Sequence, residues 1–138
     1  MLLILKPDKE QLGLEGARIV ANAIRRNPKI RLGLATGSTM LTFYKELVRL
    51  HRDEKLDFSG IVTFNLDEYL GLPATHPESF HYFMHQNLFR HVNAKPENIH
   101  IPDGMVAGNY DQCCSSYEQA IRDAGGYPSQ GPHDLAAR

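Results

Sequence analysis

Two adjacent carboxylates, Asp67 and Glu68, come at the end of a largely apolar run, residues 61–66, and precede a Gly-Leu-Pro turn. A carboxylate can act as a general base when a substrate proton lies within hydrogen-bond reach and its surroundings tune its pKa. Because adjacent side chains on an extended segment point in opposite directions, we expect one carboxylate to face a cleft and the other to be structural. The alternative is a solvated acidic turn with no chemical role.

A second candidate site is the segment Gly-Leu-Ala-Thr-Gly-Ser-Thr-Met at residues 33–40, between a predicted strand and a predicted helix. Its backbone N–H groups and hydroxyls, with the positive end of a helix dipole behind them, suit an anion such as a phosphate. It is neither a Walker A loop nor a dinucleotide-binding fingerprint, because the required lysine and glycine spacings are absent. In the alternative interpretation, Ser38 or Thr39 only caps the helix and Gly37 provides a turn.

The histidines give weaker signals. His81 and His85 lie four residues apart on a predicted helix, but no His-Glu-x-x-His pattern and no third ligand accompany them. We therefore predict helix-surface or packing histidines and no metal site. His76 and Ser79 either line a pocket or cap a helix, and the pattern favours neither.

The elements that must position these residues alternate along the chain. Strands are predicted at residues 2–5, 30–35, 61–66 and 99–101. Helices are predicted after Asp8, after the loop at residues 36–39, with Pro77 in a first helical turn, and over residues 113–124. The strands are continuous and apolar, which is typical of a parallel sheet covered on both faces. The predicted class is α/β, a doubly wound, Rossmann-like open parallel sheet with helices on both faces. In such sheets ligands bind at the carboxyl ends of the strands, where both polar segments fall.

Composition excludes several partners. The 138 residues carry 15 Lys+Arg against 16 Asp+Glu, a formal charge of -1 without a basic stripe, so nucleic acid is not an expected partner. The N-terminal apolar run is too short for a signal peptide or a membrane span. Cys113 and Cys114 are adjacent, which favours reduced thiols over a disulfide or metal pair. We predict a single-domain cytoplasmic protein with no membrane partner.

Three stretches, GLATGST, VTFNLDEYLGLPATHPESFHYFM and NLFRHV, together resemble the glucosamine-6-phosphate deaminase (glucosamine-6-phosphate isomerase) family over residues 1–126. The related 6-phosphogluconolactonases have a similar loop but typically carry Arg where this chain has Tyr69. The resemblance implies conversion of glucosamine 6-phosphate and water to fructose 6-phosphate and ammonia, with no cofactor and no metal. It implies that Asp67 moves a proton between C2 and C1, and that Glu68 and Tyr69 shape the pocket. The implied phosphate-binding residues are Thr36, Gly37, Ser38 and Thr39.

The resemblance stops before the end of the chain. Family members are about twice as long, and their second half carries an Asn-Gly-His segment whose histidine helps to open the sugar ring. Residues 127–138, YPSQGPHDLAAR, read as an irregular tail that does not match the family, which predicts an apparently truncated N-terminal half at residues 1–126. An interrupted or frameshifted coding sequence would explain this, and a chain ending there should be less stable or self-associating. The family is homo-oligomeric, but we do not transfer its oligomeric state to this chain.

Two alternatives stay open beside the deaminase. The first is a catalytically silent sugar-phosphate sensor, because sensor domains of some sugar-responsive repressors resemble this fold. A helix-turn-helix segment would be expected ahead of such a domain, whereas this chain starts at the first predicted strand. The second is a 6-phosphogluconolactonase-like hydrolase. In each case the expected partner is a small sugar phosphate.

Overall fold

A computed structural model of the chain describes residues 3–126. These residues belong to two compact units, Met1–Met105 and Val106–Arg138. The irregular tail predicted at residues 127–138 lies outside the described residues, and so does Leu2, the first residue of the first predicted strand. The predicted boundary at residue 126 therefore stays a prediction.

The first unit contains a sheet of three parallel strands in the order β1-β2-β3. The strands are β1 at Arg31–Leu34, β2 at Val62–Asn65 and β3 at Ile99–His100. The predicted α/β class with an open parallel sheet is confirmed, and three of the four predicted strands lie where the apolar runs placed them. The strand predicted at residues 2–5 is wrong for its described part, because residues 3–5 pair with no strand and Leu5 is 82% exposed.

Two of the helices in this unit begin and end close to their sequence signals. Helix α1 spans Lys9–Arg26, and Asp8 caps it by accepting a hydrogen bond from the Gln11 N–H at 2.8 Å. Helix α2 spans Leu41–Glu54 and continues a single 3₁₀ turn at Ser38–Met40.

Helix α3, Phe80–Asn87, begins later than predicted. Ser79 is its N-cap and accepts from the Tyr82 N–H at 3.0 Å, so Pro77 lies in the preceding turn rather than in the first helical turn. A serine hydroxyl can satisfy an N–H at the start of a helix, which proline cannot do. Capping is therefore the role of Ser79, and its hydroxyl also donates to the Ala74 carbonyl at 3.2 Å.

The second unit contains helix α4, Tyr110–Asp123. As predicted, it stops at two glycines, Gly125 and Gly126, whose φ angles are +104° and +62°. Their N–H groups donate to the carbonyls of Arg122 and Ile121, which satisfies acceptors that a helix end leaves open. Within the part of the chain that the structure describes, no helix is long and apolar enough to cross a membrane.

The core of the first unit joins one side of the sheet to the apolar sides of α1, α2 and α3. Leu34 of β1 is paired with Asn65 of β2, so their side chains lie on the same face of the sheet as Thr63. Thr63 and Asn65 are buried polar residues in this otherwise apolar layer. The remaining core residues are Ala17, Ala21, Ile24, Phe43, Tyr44, Leu47, Leu50, Leu56, Phe58, Ile61, Met84 and Leu88.

The Thr63 hydroxyl is fully buried and has no hydrogen-bond partner among the described residues. A buried hydroxyl without a partner costs free energy, because it has lost its bonds to water without replacement. We expect Thr63→Val, which replaces the hydroxyl by a methyl group, to raise the free energy of unfolding by about 1 kcal/mol. Urea denaturation measures this change, and Thr75→Val in an exposed turn is the control, expected to shift it by less than about 0.5 kcal/mol. A destabilised Thr63→Val protein would contradict the description of the Thr63 hydroxyl as buried without a partner.

Candidate active site

The two polar segments lie side by side at one edge of the sheet. Leu34 and Asn65, the last residues of β1 and β2, are direct partners in the parallel register. Parallel neighbours are about 4.8 Å apart, so the loop after β1 and the acidic segment after β2 leave the sheet next to each other. The expectation that both segments share one edge is confirmed.

The loop after β1, residues 36–39, presents unused donors. The backbone N–H groups of Thr36, Gly37, Ser38 and Thr39 donate to no acceptor among the described residues. Gly37 has a φ of +113° and a ψ of +163°, a conformation that residues with a side chain essentially do not adopt. Neither the 3₁₀ turn nor α2 has a side-chain cap, so the interpretation that Ser38 or Thr39 caps the helix is wrong, whereas the turn at Gly37 is confirmed.

Two buried side chains hold the backbone that leads into this loop. The Tyr44 hydroxyl donates to the Ala35 carbonyl at 2.5 Å, and the Asn65 side-chain amide donates to the Leu34 carbonyl at 3.1 Å. Sequence reasoning assigned neither residue to the site. One signal was available, because a polar residue inside a continuous apolar strand, such as Asn65, must find a hydrogen-bond partner when it is buried.

The two adjacent carboxylates have different surroundings. The Glu68 side chain is only 1% exposed, and its carboxylate accepts from the backbone N–H groups of Tyr69, Phe80 and His81 at 2.8–2.9 Å. It also accepts from His81 Nδ1 at 2.9 Å, so that nitrogen carries the hydrogen. Burial disfavours ionisation, but the hydrogen bonds from Phe80, His81 and Tyr69 outweigh it and lower the pKa of Glu68 below its usual value. Glu68 thus anchors the start of α3 to the segment that follows β2.

Asp67, by contrast, is exposed and makes no hydrogen bond or ion pair with any described residue. The expectation that one of the two carboxylates is structural agrees with the surroundings of Glu68, for which the solvated-turn alternative is wrong. That Asp67 faces a cleft stays a prediction. Tyr69 is 54% exposed, and its ring packs at 4.8 Å between centroids against Phe80 of α3.

A contact from a distant part of the sequence fixes the rest of the acidic segment after β2, which we call the acidic loop, residues 67–72. The Gly71 N–H donates to the Gly104 carbonyl at 2.7 Å, and Gly71 itself has a φ of +83°. A Cβ added at Gly104 would lie 2.3 Å from the Tyr69 carbonyl oxygen and 3.1 Å from Glu68 Cγ. The segment after β3 therefore packs backbone to backbone against the loop that carries Asp67, and nothing in the local sequence indicated it.

His81 and His85 have different surroundings in the structure. His81 pairs with Glu68, while His85 is exposed one turn later, so the interpretation as packing and surface residues agrees with the structure. Among residues 3–126 there is no group of three or more His, Cys, Asp or Glu side chains arranged to hold a metal ion. His76 is exposed, and its Nδ1 accepts from the Glu78 N–H at 3.1 Å in the turn before α3.

Comparison with known proteins gives a consistent result. The model of the glucosamine-6-phosphate isomerases/6-phosphogluconolactonase family matches residues 9–136. A glucosamine-6-phosphate deaminase of a Thermoanaerobacter species is 45% identical over 130 residues, covering 94% of this chain and 51% of the relative. Glucosamine-6-phosphate deaminase 1 of Giardia intestinalis is 51% identical over 109 residues, covering 79% of this chain and 41% of the relative. The chain spans about half the length of the curated relatives it matches.

Solved structures agree with the sequence relatives. A monomeric glucosamine-6-phosphate deaminase superimposes with a TM-score of 0.86 at 40% identity, covering 91% of this chain and 52% of that chain. A 6-phosphogluconolactonase from Thermotoga maritima has a TM-score of 0.69 at 23% identity, covering 88% and 53%. The lactonase therefore shares the fold, and the deaminase shares both fold and sequence.

The Glu68 anchor predicts a specific dependence of stability on pH. Because its pKa is lower in the folded chain than the ordinary value of 4.5, ionised Glu68 stabilises the fold above that value. This stabilisation is lost as the pH falls through the lowered pKa. We expect Glu68→Gln to reduce the free energy of unfolding by about 2 kcal/mol at neutral pH, and by progressively less below pH 4.5.

The measurement is a series of urea denaturation curves from neutral to acid pH. Glu78→Gln is the matched control, because Glu78 is exposed in the same turn region and its carboxylate has no partner among the described residues. A difference between wild type and Glu68→Gln that does not change with pH would show that the ionised carboxylate is not the stabilising group.

Proposed function

The chain belongs to the glucosamine-6-phosphate isomerases/6-phosphogluconolactonase family, and we propose that its site acts in the deaminase reaction of that family. In this reaction glucosamine 6-phosphate and water become fructose 6-phosphate and ammonia. The observation that carries the proposal is the pairing of an exposed, unpartnered Asp67 with a loop of four unused N–H donors on the neighbouring strand end. The named relatives with 40% identity or more are glucosamine-6-phosphate deaminases, which supports the choice within the family.

The loop at residues 36–39 binds the sugar phosphate. The four N–H groups and the hydroxyls of Thr36, Ser38 and Thr39 are donors at the start of a helix whose dipole favours negative charge. No Lys or Arg occurs within residues 33–40, so in this segment the backbone and hydroxyls supply the recognition. With the phosphate held there, the other end of a six-carbon chain reaches towards the adjacent strand end.

Asp67 carries the proton. In the open-chain aldose, its carboxylate removes the proton from C2 and returns it to C1, which converts the amino aldose to a ketose imine. Water then adds to the imine carbon at C2, and ammonia leaves. A carboxylate suffices for this proton transfer, and we propose no cofactor or metal.

Glu68 and Tyr69 shape the site in this proposal. Glu68 holds the backbone on the carboxyl-terminal side of Asp67 against α3, so that the Asp67 side chain is directed away from the core. Tyr69, two residues after Asp67, packs its half-exposed ring against Phe80 at the start of α3. A cytoplasmic location also belongs to the proposal, and the free thiols of Cys113 and Cys114 suit a reducing compartment.

The test of Asp67 is release of ammonia and fructose 6-phosphate from glucosamine 6-phosphate. We expect Asp67→Asn to lower kcat at least about 100-fold, because proton transfer by a positioned base contributes that much or more. Binding of the substrate, measured by calorimetry, should stay within about threefold. Asp8→Asn is the matched control, since asparagine caps a helix as well as aspartate does.

Other outcomes would overturn the proposal. A wild-type protein that binds glucosamine 6-phosphate without releasing ammonia would be a silent sugar-phosphate-binding domain. A wild-type protein that hydrolyses 6-phosphogluconolactone instead would have the activity named for its more distant structural neighbours.

The loop has its own test. We expect Ser38→Ala to weaken binding of inorganic phosphate about tenfold, because it removes one donor to a charged ligand. Ser115→Ala, on the exposed surface of α4, is the control and should leave phosphate binding unchanged. Equal phosphate affinity in wild type and Ser38→Ala would exclude the Ser38 hydroxyl from the phosphate site.

A further inference from the structure

Tyr44 stands out as a buried residue whose polar atom points at the loop of the candidate site. Its side chain is fully buried in the first turns of α2, among apolar neighbours. Its ring packs edge-on against Phe43 at 5.2 Å and against Phe83 of α3 at 6.3 Å between centroids. In the orientation that these contacts support, the hydroxyl donates to the Ala35 carbonyl at 2.5 Å.

This hydrogen bond determines where the next N–H group points. The described peptide bonds are all trans, and in a planar trans peptide the C=O and the following N–H point in opposite directions. Because the Ala35 carbonyl is drawn inward to Tyr44, the Thr36 N–H is directed outward, away from the core. That N–H is the first of the four unused donors of the loop.

We propose that Tyr44 is a positioning residue for phosphate recognition, which fixes the Ala35–Thr36 peptide so that the Thr36 N–H faces the phosphate of the substrate. This inference rests on the proposed function, because it assigns Tyr44 to the phosphate loop of that site. Tyr44 does not touch the ligand and acts through the backbone. Asn65 supports the same loop one peptide earlier, through its bond to the Leu34 carbonyl at 3.1 Å.

The hydroxyl keeps its role over a wide pH range. Burial raises the pKa of Tyr44 above its ordinary value, because it disfavours the charged phenolate. The hydroxyl therefore stays protonated and remains a donor wherever the protein is folded near neutral pH. Without this donor, the Ala35 carbonyl would have no partner in the core, and the peptide would be free to rotate.

The experiment removes one oxygen atom. Tyr44→Phe keeps the ring and its packing, and Thr63→Val is the matched control, because it removes a buried hydroxyl that holds no loop carbonyl. Calorimetry with inorganic phosphate and with glucosamine 6-phosphate gives the affinities. We expect Tyr44→Phe to weaken both about tenfold, as for one misplaced donor, and Thr63→Val to weaken neither.

Kinetics and NMR separate positioning from a general structural effect. In turnover assays we expect Tyr44→Phe to raise KM about tenfold while kcat stays within about twofold, because proton transfer by Asp67 is untouched. The ¹⁵N–¹H signal of Thr36 should shift on phosphate addition in wild type and much less in Tyr44→Phe. A cooperative urea transition shows that the variant is folded.

The outcomes for Tyr44 and for the proposed function differ. If Tyr44→Phe binds phosphate as wild type does, or if its Thr36 signal responds fully, the inference is wrong while the deaminase proposal stands. If Tyr44→Phe loses affinity but wild type releases no ammonia, the inference holds and the proposed function fails. A wild-type protein with no phosphate affinity would overturn both.

Discussion

The parallel register of β1 and β2 is the constraint on which the site depends. Because Leu34 is paired with Asn65, both strands end at the same level, and the residues that follow each of them leave the sheet together. The Asn65 side chain reinforces this pairing by bonding to the Leu34 carbonyl across the two strands. A shift of one residue would turn Asn65 and Thr63 to the other face and separate the loop from the acidic segment. The strand pairing thus brings the two segments of the site together, and the individual side chains act within that arrangement.

Each half of the site is held by a different device. The loop after β1 depends on buried donors, Tyr44 and Asn65, that bind its carbonyls from the core side. The segment after β2 depends on a buried acceptor, Glu68, whose carboxylate accepts hydrogen bonds from N–H groups at the start of α3. In both halves a buried side chain bonds to backbone groups from the core side, and the Thr36 N–H and the Asp67 carboxylate have no partner among the described residues. Pre-organisation of this kind means that a bound ligand need not pay for ordering the loops.

Much of this arrangement could be predicted from local sequence. Apolar runs located three strands, and the spacing after Asp8 located α1. The geometry of adjacent carboxylates predicted that only one of Asp67 and Glu68 would face a cleft, and the family resemblance implied that it is Asp67. What failed depends on contacts between distant segments. The strand expected at residues 2–5 needs a partner strand, which no local pattern supplies, and the start of α3 was decided by Ser79 and Glu68 rather than by Pro77. Likewise, residue spacing indicated only that Tyr44 occupies an apolar position of a helix. It could not indicate the hydrogen bond from Tyr44 to the Ala35 carbonyl.

The crowding at Gly104 links two parts of the chain that are remote in sequence. Any side chain there would collide with the Tyr69 and Leu72 carbonyls, both within 2.9 Å of the added atom, so the loop would have to retreat. Rigid backbone atoms, unlike a flexible side chain, cannot turn aside. In genetic terms, residue 104 is therefore restricted to glycine as long as the loop keeps its native backbone, and no exchange of side chains within residues 68–72 lifts the restriction, because the obstructing carbonyls remain.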